Sequence, residues 1–225
     1  GSDSGGGAGI QADIKTVTAL GGFAMTAITA LTAQNTQGVH DIHGVPEDFI
    51  TRQIEVVLSD LGADALKTGM LHSPAVIETV VKALETCDAP LVVDPVMRAK
   101  GGAALLLPEA QAALVELLLP RATLLTPNVP EAEALTGMSI QSMADLQAVG
   151  ERLMTLGTKA VLMKGGHLDS AAMTDVLVTD EGASIIGLGR IRRNTPHTHG
   201  TGCTLASAVA AGLAQQLTLH RSVER

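Results

Sequence analysis

His199-Gly200-Thr201-Gly202-Cys203-Thr204 runs directly into Leu205-Ala206-Ser207-Ala208-Val209-Ala210-Ala211. Two glycines flank a threonine, and the residues after the cysteine are small, apolar and helix-forming, so a tight turn should open into a buried helix. The first turn of a helix carries backbone N–H groups without internal partners and the positive end of the macrodipole. Such a junction suits phosphate oxygens or a developing negative charge. Gly200, Thr201 and Gly202 supply that anion-binding turn, and Cys203 stands inside it. A helix N-terminus lowers a thiol's pKa and readies it as a thiolate base or nucleophile. A plainer description also fits: a glycine turn before an alanine-rich helix, with the cysteine as a small buried hydrophobe.

Upstream of this stretch, short apolar runs end in polar, chemistry-bearing residues. Pro90 to Met97 reads as a strand that delivers Asp94, and Thr123 to Thr126 as one that leads into Pro127-Asn128. Ala160 to Met163 leads into Lys164-Gly165-Gly166, and Ala65-Leu66-Lys67-Thr68-Gly69-Met70 is a further short strand. The carboxyl ends of strands are where open α/β sheets place their ligands. Lys164 there can reach a phosphate as a point charge. Asp94, Glu131 and Asn128 offer oxygen ligands of the kind magnesium takes together with water. Asn128 and Glu131 also have the spacing of a helix capping box, and the two roles are compatible. Met70 either lines a pocket or fills the core.

Helical periodicity covers Ile10 to Leu20, Glu47 to Leu61, Pro74 to Glu85, Pro108 to Leu119 and Met143 to Leu156. A hairpin is expected from Met173 to Thr179 and Ser184 to Leu188 around Asp180-Glu181-Gly182. About six strands thus alternate with helices, which predicts a three-layer α/β/α fold on a mostly parallel sheet, with no repeat or linker to divide residues 1–225. Arg98 to Ala103, with two positive charges and two glycines, has the composition of a flap over phosphates or of a solvated loop.

The chain opens with Gly5-Gly6-Gly7-Ala8-Gly9, which matches neither dinucleotide nor phosphate-loop spacing. Its bare backbone lets a ligand lie close, with Asp3 or Asp13 as acceptors. Gln34 and Asn35 follow a run of β-capable residues and either recognise a neutral heterocycle, since an amide both donates and accepts, or cap a turn. A loop of this kind should follow a strand, and Ser222 to Arg225 reads as the start of a helix. The numbered chain is therefore expected to lack a first strand and further C-terminal helix.

With 225 residues, 46% of them hydrophobic, the chain can fill one large core, but two Phe and no Trp or Tyr leave almost nothing to stack on bases. A net charge of −8 and a pI near 5.3 also argue against nucleic acid. Anionic ligands must be caught locally. Cys87 and Cys203 are too few for a disulfide framework or zinc site. The sequence shows no signal peptide and no apolar run long enough to span a membrane, so cytoplasm is the expectation.

These motifs together resemble the ribokinase superfamily, and within it the hydroxymethylpyrimidine and phosphomethylpyrimidine kinases of thiamine biosynthesis. The resemblance rests on Gly1 to Asp13, Thr29 to Thr36, Lys67 to Met70, Asp94 to Met97, Thr126 to Asn128 with Glu131, Met163 to His167 and His199 to Thr204, in order along nearly the whole chain. Superfamily relatives generally carry an aspartate base at the position of Cys203. Cysteine there is shared with these kinases and with a branch of pyridoxal kinases, the alternative reading. The resemblance implies ATP and Mg2+ as co-substrates, phosphorylation of the pyrimidine alcohol and then of its monophosphate, and a homodimer. It implies ring contacts from Gly1, Asp13, Gln34 and Met70, and Cys203 as base in the anion hole of Gly200, Thr201 and Gly202. Phosphate and nucleotide contacts fall to Lys164, Asn128 and Thr201, and the metal to Asp94 and Glu131.

Overall fold

In the computed structural model, residues 1–99, 102–167, 172–191, 195 and 197–225 are described. A six-stranded sheet runs in the order β3 (Leu66–Thr68), β4 (Leu91–Val93), β5 (Leu124–Leu125), β6 (Val161–Met163), β7 (Ala172–Thr179) and β8 (Gly182–Ile191). β3 to β6 pair in parallel, whereas β6, β7 and β8 pair antiparallel. The hairpin lies where the sequence placed it, with longer strands. The side strands β1 (Ala30–Gln34) and β2 (Val39–Gly44) form a separate antiparallel ribbon. Of the run from Ala24 to Ala33, only the end is strand.

Strand order increasing in one direction, with right-handed crossovers, puts successive connecting helices on one face. That face carries α2 (Glu47–Asp60), α3 (Pro74–Ala83), α4 (Ala110–Ala113), α5 (Val129–Thr136) and α6 (Met143–Met154). Ile50, Ile77, Ala132 and Leu153 from these helices pack with Val93, Leu125, Val161 and Met163 of the sheet. The alternate strand residues Val92, Leu124 and Leu162 face the other way, onto Ala206 and Val209 of α7 (Thr201–Ala214) and Val223 of α8 (Leu219–Glu224). This period of two is what a sheet covered on both faces requires, and it makes three layers. α1 (Gly9–Ala19) lies beside α7. No helix among the described residues is long and apolar enough to cross a membrane.

Two departures have local causes. The helix expected from Pro108 to Leu119 is regular only over α4, then widens into a π turn at Leu114–Leu118 and tightens into a 3-10 turn at Leu119–Arg121. Pro120 has no N–H to donate backwards, so the regular ladder cannot run through it. The expected flap has Arg98 Nη1 donating to Gly102 O at 3.2 Å, with Ala99 N–H on Ala103 O at 2.8 Å. Lys100 and Gly101 lie outside the described residues, as does part of the Arg190 to His199 connection.

Candidate active site

The sheet's side alternation decides which residues meet α7. Lys67, Asp94 and Lys164 each follow a residue that faces the opposite layer, so all three turn toward the start of α7. Gly200 is the N-cap of α7; its φ of 81° is left-handed and it has no side chain with which to cap the helix. A Cβ on Gly202 would lie 3.5 Å from Lys164 Nζ and 3.6 Å from Asp94 Oδ2. The glycine therefore brings the bare helix terminus against an ion pair, Lys164 Nζ to Asp94 Oδ1 at 3.4 Å. Thr201 is exposed, its hydroxyl donating to Thr198 O at 3.0 Å.

Asn128 and Glu131 stand beside this group at the start of α5 and form the expected capping box: Asn128 N–H to Glu131 Oε2 at 2.9 Å, Glu131 N–H to Asn128 Oδ1 at 3.0 Å. Both carboxylates are buried, Asp94 at 3% and Glu131 at 6% exposure. Burial first, then the neighbouring charge of Asp94, pushes the Glu131 carboxyl up to about 7, against the pull of Lys164 and of backbone N–H groups. A buried carboxyl whose ionisation is disfavoured by burial and by a second buried carboxylate beside it is part of a donor set that an oxygen-seeking divalent cation relieves. No cluster of three His, Cys, Asp or Glu able to enclose a metal occurs among the described residues. An ion held here would take its remaining ligands from water and phosphate.

On the other side of Cys203 lies a cavity of about 660 Å³, lined in part by Gly1, Asp13, Gln34, Lys67, Met70 and Cys203. The four residues assigned to the ring thus meet in one space, with the thiol in its wall. Met70 serves both expected purposes, packing with Ala30 and Leu105 while lining the cavity. Gln34 Nε2 lies 3.3 Å from His199 Nε2, whereas Asn35 caps the turn, its Oδ1 accepting from Gln37 and Gly38 N–H.

Two expectations need correction. Asp3 is engaged within the chain and is not an acceptor held ready for a ligand. Asp3, 1% exposed, turns inward and accepts from Gly5, Gly7 and Ala8 N–H at 2.8, 3.0 and 2.8 Å and from His199 Nε2 at 2.7 Å. Burial alone would raise the Asp3 pKa, but His199 and the Ala8 and Gly5 N–H groups hold it below the usual value. The second concerns Cys203: burial, with Asp94 and Asp13 behind it, pushes its thiol up, and the opposing pulls of Lys67 and the Gly9 N–H do not reverse this. The helix terminus does not yield a ready thiolate here. At the C-terminal end, Ser222 to Glu224 are helical as expected, within α8, which starts at Leu219.

Sequence reading passed over Lys67, whose Nζ donates to Asp13 Oδ1 at 2.9 Å. Burial works against its charge, yet Cys203, Asp13 and Asp94 hold its pKa above the usual lysine value. Ser207 was missed too; its hydroxyl donates to the same Asp13 oxygen at 2.7 Å.

A family model described as phosphomethylpyrimidine kinase matches residues 3–225. The hydroxymethylpyrimidine/phosphomethylpyrimidine kinase of Bacillus subtilis is 49% identical over 226 residues, covering 100% of this chain and 83% of that protein. The crystal structure of phosphomethylpyrimidine kinase from Clostridium difficile superposes with a TM-score of 0.87 at 44% identity, covering 99% of this chain and 91% of that one. The pyridoxal kinase of Staphylococcus aureus in complex with AMP-PCP and pyridoxal superposes with a TM-score of 0.89 at 34% identity, covering 100% and 81%. The fold is thus the ribokinase-like one, and by the extent of these matches the chain belongs to the phosphomethylpyrimidine kinase family.

Proposed function

We propose that this kinase transfers the γ-phosphoryl group of ATP to the alcohol of 4-amino-5-hydroxymethyl-2-methylpyrimidine, and then phosphorylates the resulting monophosphate, as a step of thiamine biosynthesis. The observation that carries the reading is the two-sided position of Cys203. One side is a cavity lined by Asp13, Gln34 and Met70, and the other is the α7 terminus beside Lys164 and Asp94. A ring held by Gly1, Asp13, Gln34 and Met70 presents its hydroxymethyl group toward the thiol.

Phosphoryl transfer asks the protein for positioning and charge neutralisation more than for covalent chemistry. The N–H groups of Gly200 to Cys203 meet the charge that builds on the transferring group, and Lys164 exchanges part of its pairing with Asp94 for a phosphate oxygen. Thr201 and Asn128 add nucleotide contacts. Cys203 Sγ takes the hydroxyl proton as the alcohol oxygen attacks. Its raised pKa leaves little thiolate at neutral pH but makes that thiolate a stronger base, and proton removal late along the path suits the loose transition state. Asp94 and Glu131 are the residues to hold Mg2+, which supplies charge neutralisation on the phosphates. We further read residues 1–225 as one domain working in the cytoplasm as a homodimer, which light scattering tests.

Pyridoxal is the competing alcohol, favoured by the similarity to pyridoxal kinases. Coupled ATP-consumption kinetics on the chain and on Cys203→Ala test the assignment. Loss of the base should cost about two to four powers of ten in kcat. Turnover of the pyrimidine undiminished in the variant would refute it.

A further inference from the structure

Lys67 and Ser207 are buried groups that phosphoryl transfer leaves without a task. They converge on a single atom. Lys67 on β3 donates to Asp13 Oδ1 at 2.9 Å, and Ser207 on α7 donates to the same oxygen at 2.7 Å. Both donors are buried, the Lys67 side chain at 9% and Ser207 at 1% exposure, while the Asp13 side chain, 22% exposed, lines the cavity. Ser207 lies four residues after Cys203 in α7 and therefore shares its helix face. Three elements, α1, β3 and α7, thus fix one carboxylate in the wall of the cavity.

Two consequences follow for a ligand. The Lys67 ammonium and the Ser207 hydroxyl, both donating to Oδ1, set Asp13 in the role of acceptor. Two donors on one oxygen also fix the carboxylate's rotation in the cavity wall. An N–H donor placed against it gains a hydrogen bond, whereas an anionic oxygen meets a second acceptor.

We propose that Lys67 and Ser207 are positioning residues that hold Asp13 as a fixed acceptor and so set a preference for a ring with an exocyclic amine over one with a phenolate oxygen, as pyridoxal has. This rests on the proposed reading that Asp13 meets the substrate ring. Ser207 acts through Asp13 alone, so its signature is in KM; Lys67 also pulls on the Cys203 thiol, which serves both substrates, so its signature is in the choice between them.

The test is steady-state kinetics of the chain with 4-amino-5-hydroxymethyl-2-methylpyrimidine and with pyridoxal at saturating ATP, for wild type, Ser207→Ala, Lys67→Met and Lys67→Arg. Ser207→Ala should raise KM for the aminopyrimidine about tenfold and change kcat less than about twofold, because it removes one of the two bonds that fix the acceptor. KM for pyridoxal should not rise, so the specificity ratio falls about tenfold. Lys67→Met should lower the ratio further, and Lys67→Arg, which keeps the charge, should recover most of it. Calorimetric binding of the aminopyrimidine repeats the comparison without turnover. An unchanged ratio in Ser207→Ala, or equal losses on both substrates, overturns the proposal. Should Lys67→Met fail to fold, Ser207→Ala and Lys67→Arg carry the test. A wild-type chain that neither binds nor phosphorylates the aminopyrimidine overturns the functional reading itself, which is a different outcome.

Discussion

Gly200→Ala probes the join between the Gly-rich loop and the start of α7. Gly200 has φ of 81°, and a Cβ there would sit 2.5 Å from the Gly7 carbonyl carbon, inside its oxygen, and 3.1 Å from Ala8 Cα. All these neighbours are backbone, and Gly7 and Ala8 are tied to Asp3 by hydrogen bonds of 3.0 and 2.8 Å. The left-handed conformation alone costs an alanine about 1–2 kcal/mol. Relieving the overlap must also loosen the Asp3 cradle, at about 1 kcal/mol or more for each bond lost, for a total of at least about 3 kcal/mol. In a chain of this size that lowers Tm by about 6–12 °C. Gly137→Ala is the control, because Gly137 has φ of 71° but nothing within 4 Å of its Cβ position. It should lose only the conformational part. The assay is thermal unfolding of both variants, with kinase turnover below their transitions. Gly200→Ala should also lose turnover, since the displaced loop shifts the helix terminus that receives phosphate. Equal Tm values for the two variants, or full activity in Gly200→Ala, would refute the claim that loop and helix are locked by backbone contact.

Glu131 gives a stability change of defined sign. Its pKa in the folded chain, about 7, lies above its ordinary value of 4.5, so its contribution is fully present below about pH 4.5 and is lost as pH rises through 7. In chelator, stability measured by denaturant titration should fall by up to about 3 kcal/mol over that interval relative to Glu131→Gln; parallel curves would count against it. Cys203, pushed up by burial, should react slowly with iodoacetamide at pH 7 and faster only on the alkaline side of an ordinary thiol, read by mass spectrometry in a Cys87→Ser background. Rapid labelling at pH 7 would show a thiolate after all. Asp3→Asn puts an amide before three N–H donors and His199, and should cost about 2 kcal/mol or more, seen as a lower denaturation midpoint.

Features written in local spacing were legible in the sequence. The Asn128 and Glu131 capping box, the helix after Gly200, and the alternating strands that carry Asp94 and Lys164 each follow from neighbours a few residues apart. The features that were not legible depend on distant partners. Lys67 looked like one polar residue in a short strand; its meaning comes from Asp13, 54 positions away in sequence. Asp3 looked available to a ligand because His199, 196 positions away, cannot be paired with it by spacing. β2 escaped notice because His40, Asp41 and His43 are exposed, and a ribbon with little burial lacks the alternation that marks a strand. Cys203 shows the limit most clearly: the helix terminus argues for a low pKa, but burial and two nearby carboxylates, invisible in the sequence, outweigh it.

The central claim is the identity of the phosphoryl acceptor, and product mass tests it most directly. The chain is incubated with ATP and Mg2+ and offered 4-amino-5-hydroxymethyl-2-methylpyrimidine and pyridoxal side by side. The pyrimidine monophosphate should form first and its diphosphate second, with pyridoxal turned over poorly. Phosphorylation mainly of pyridoxal, or of neither alcohol, would contradict it.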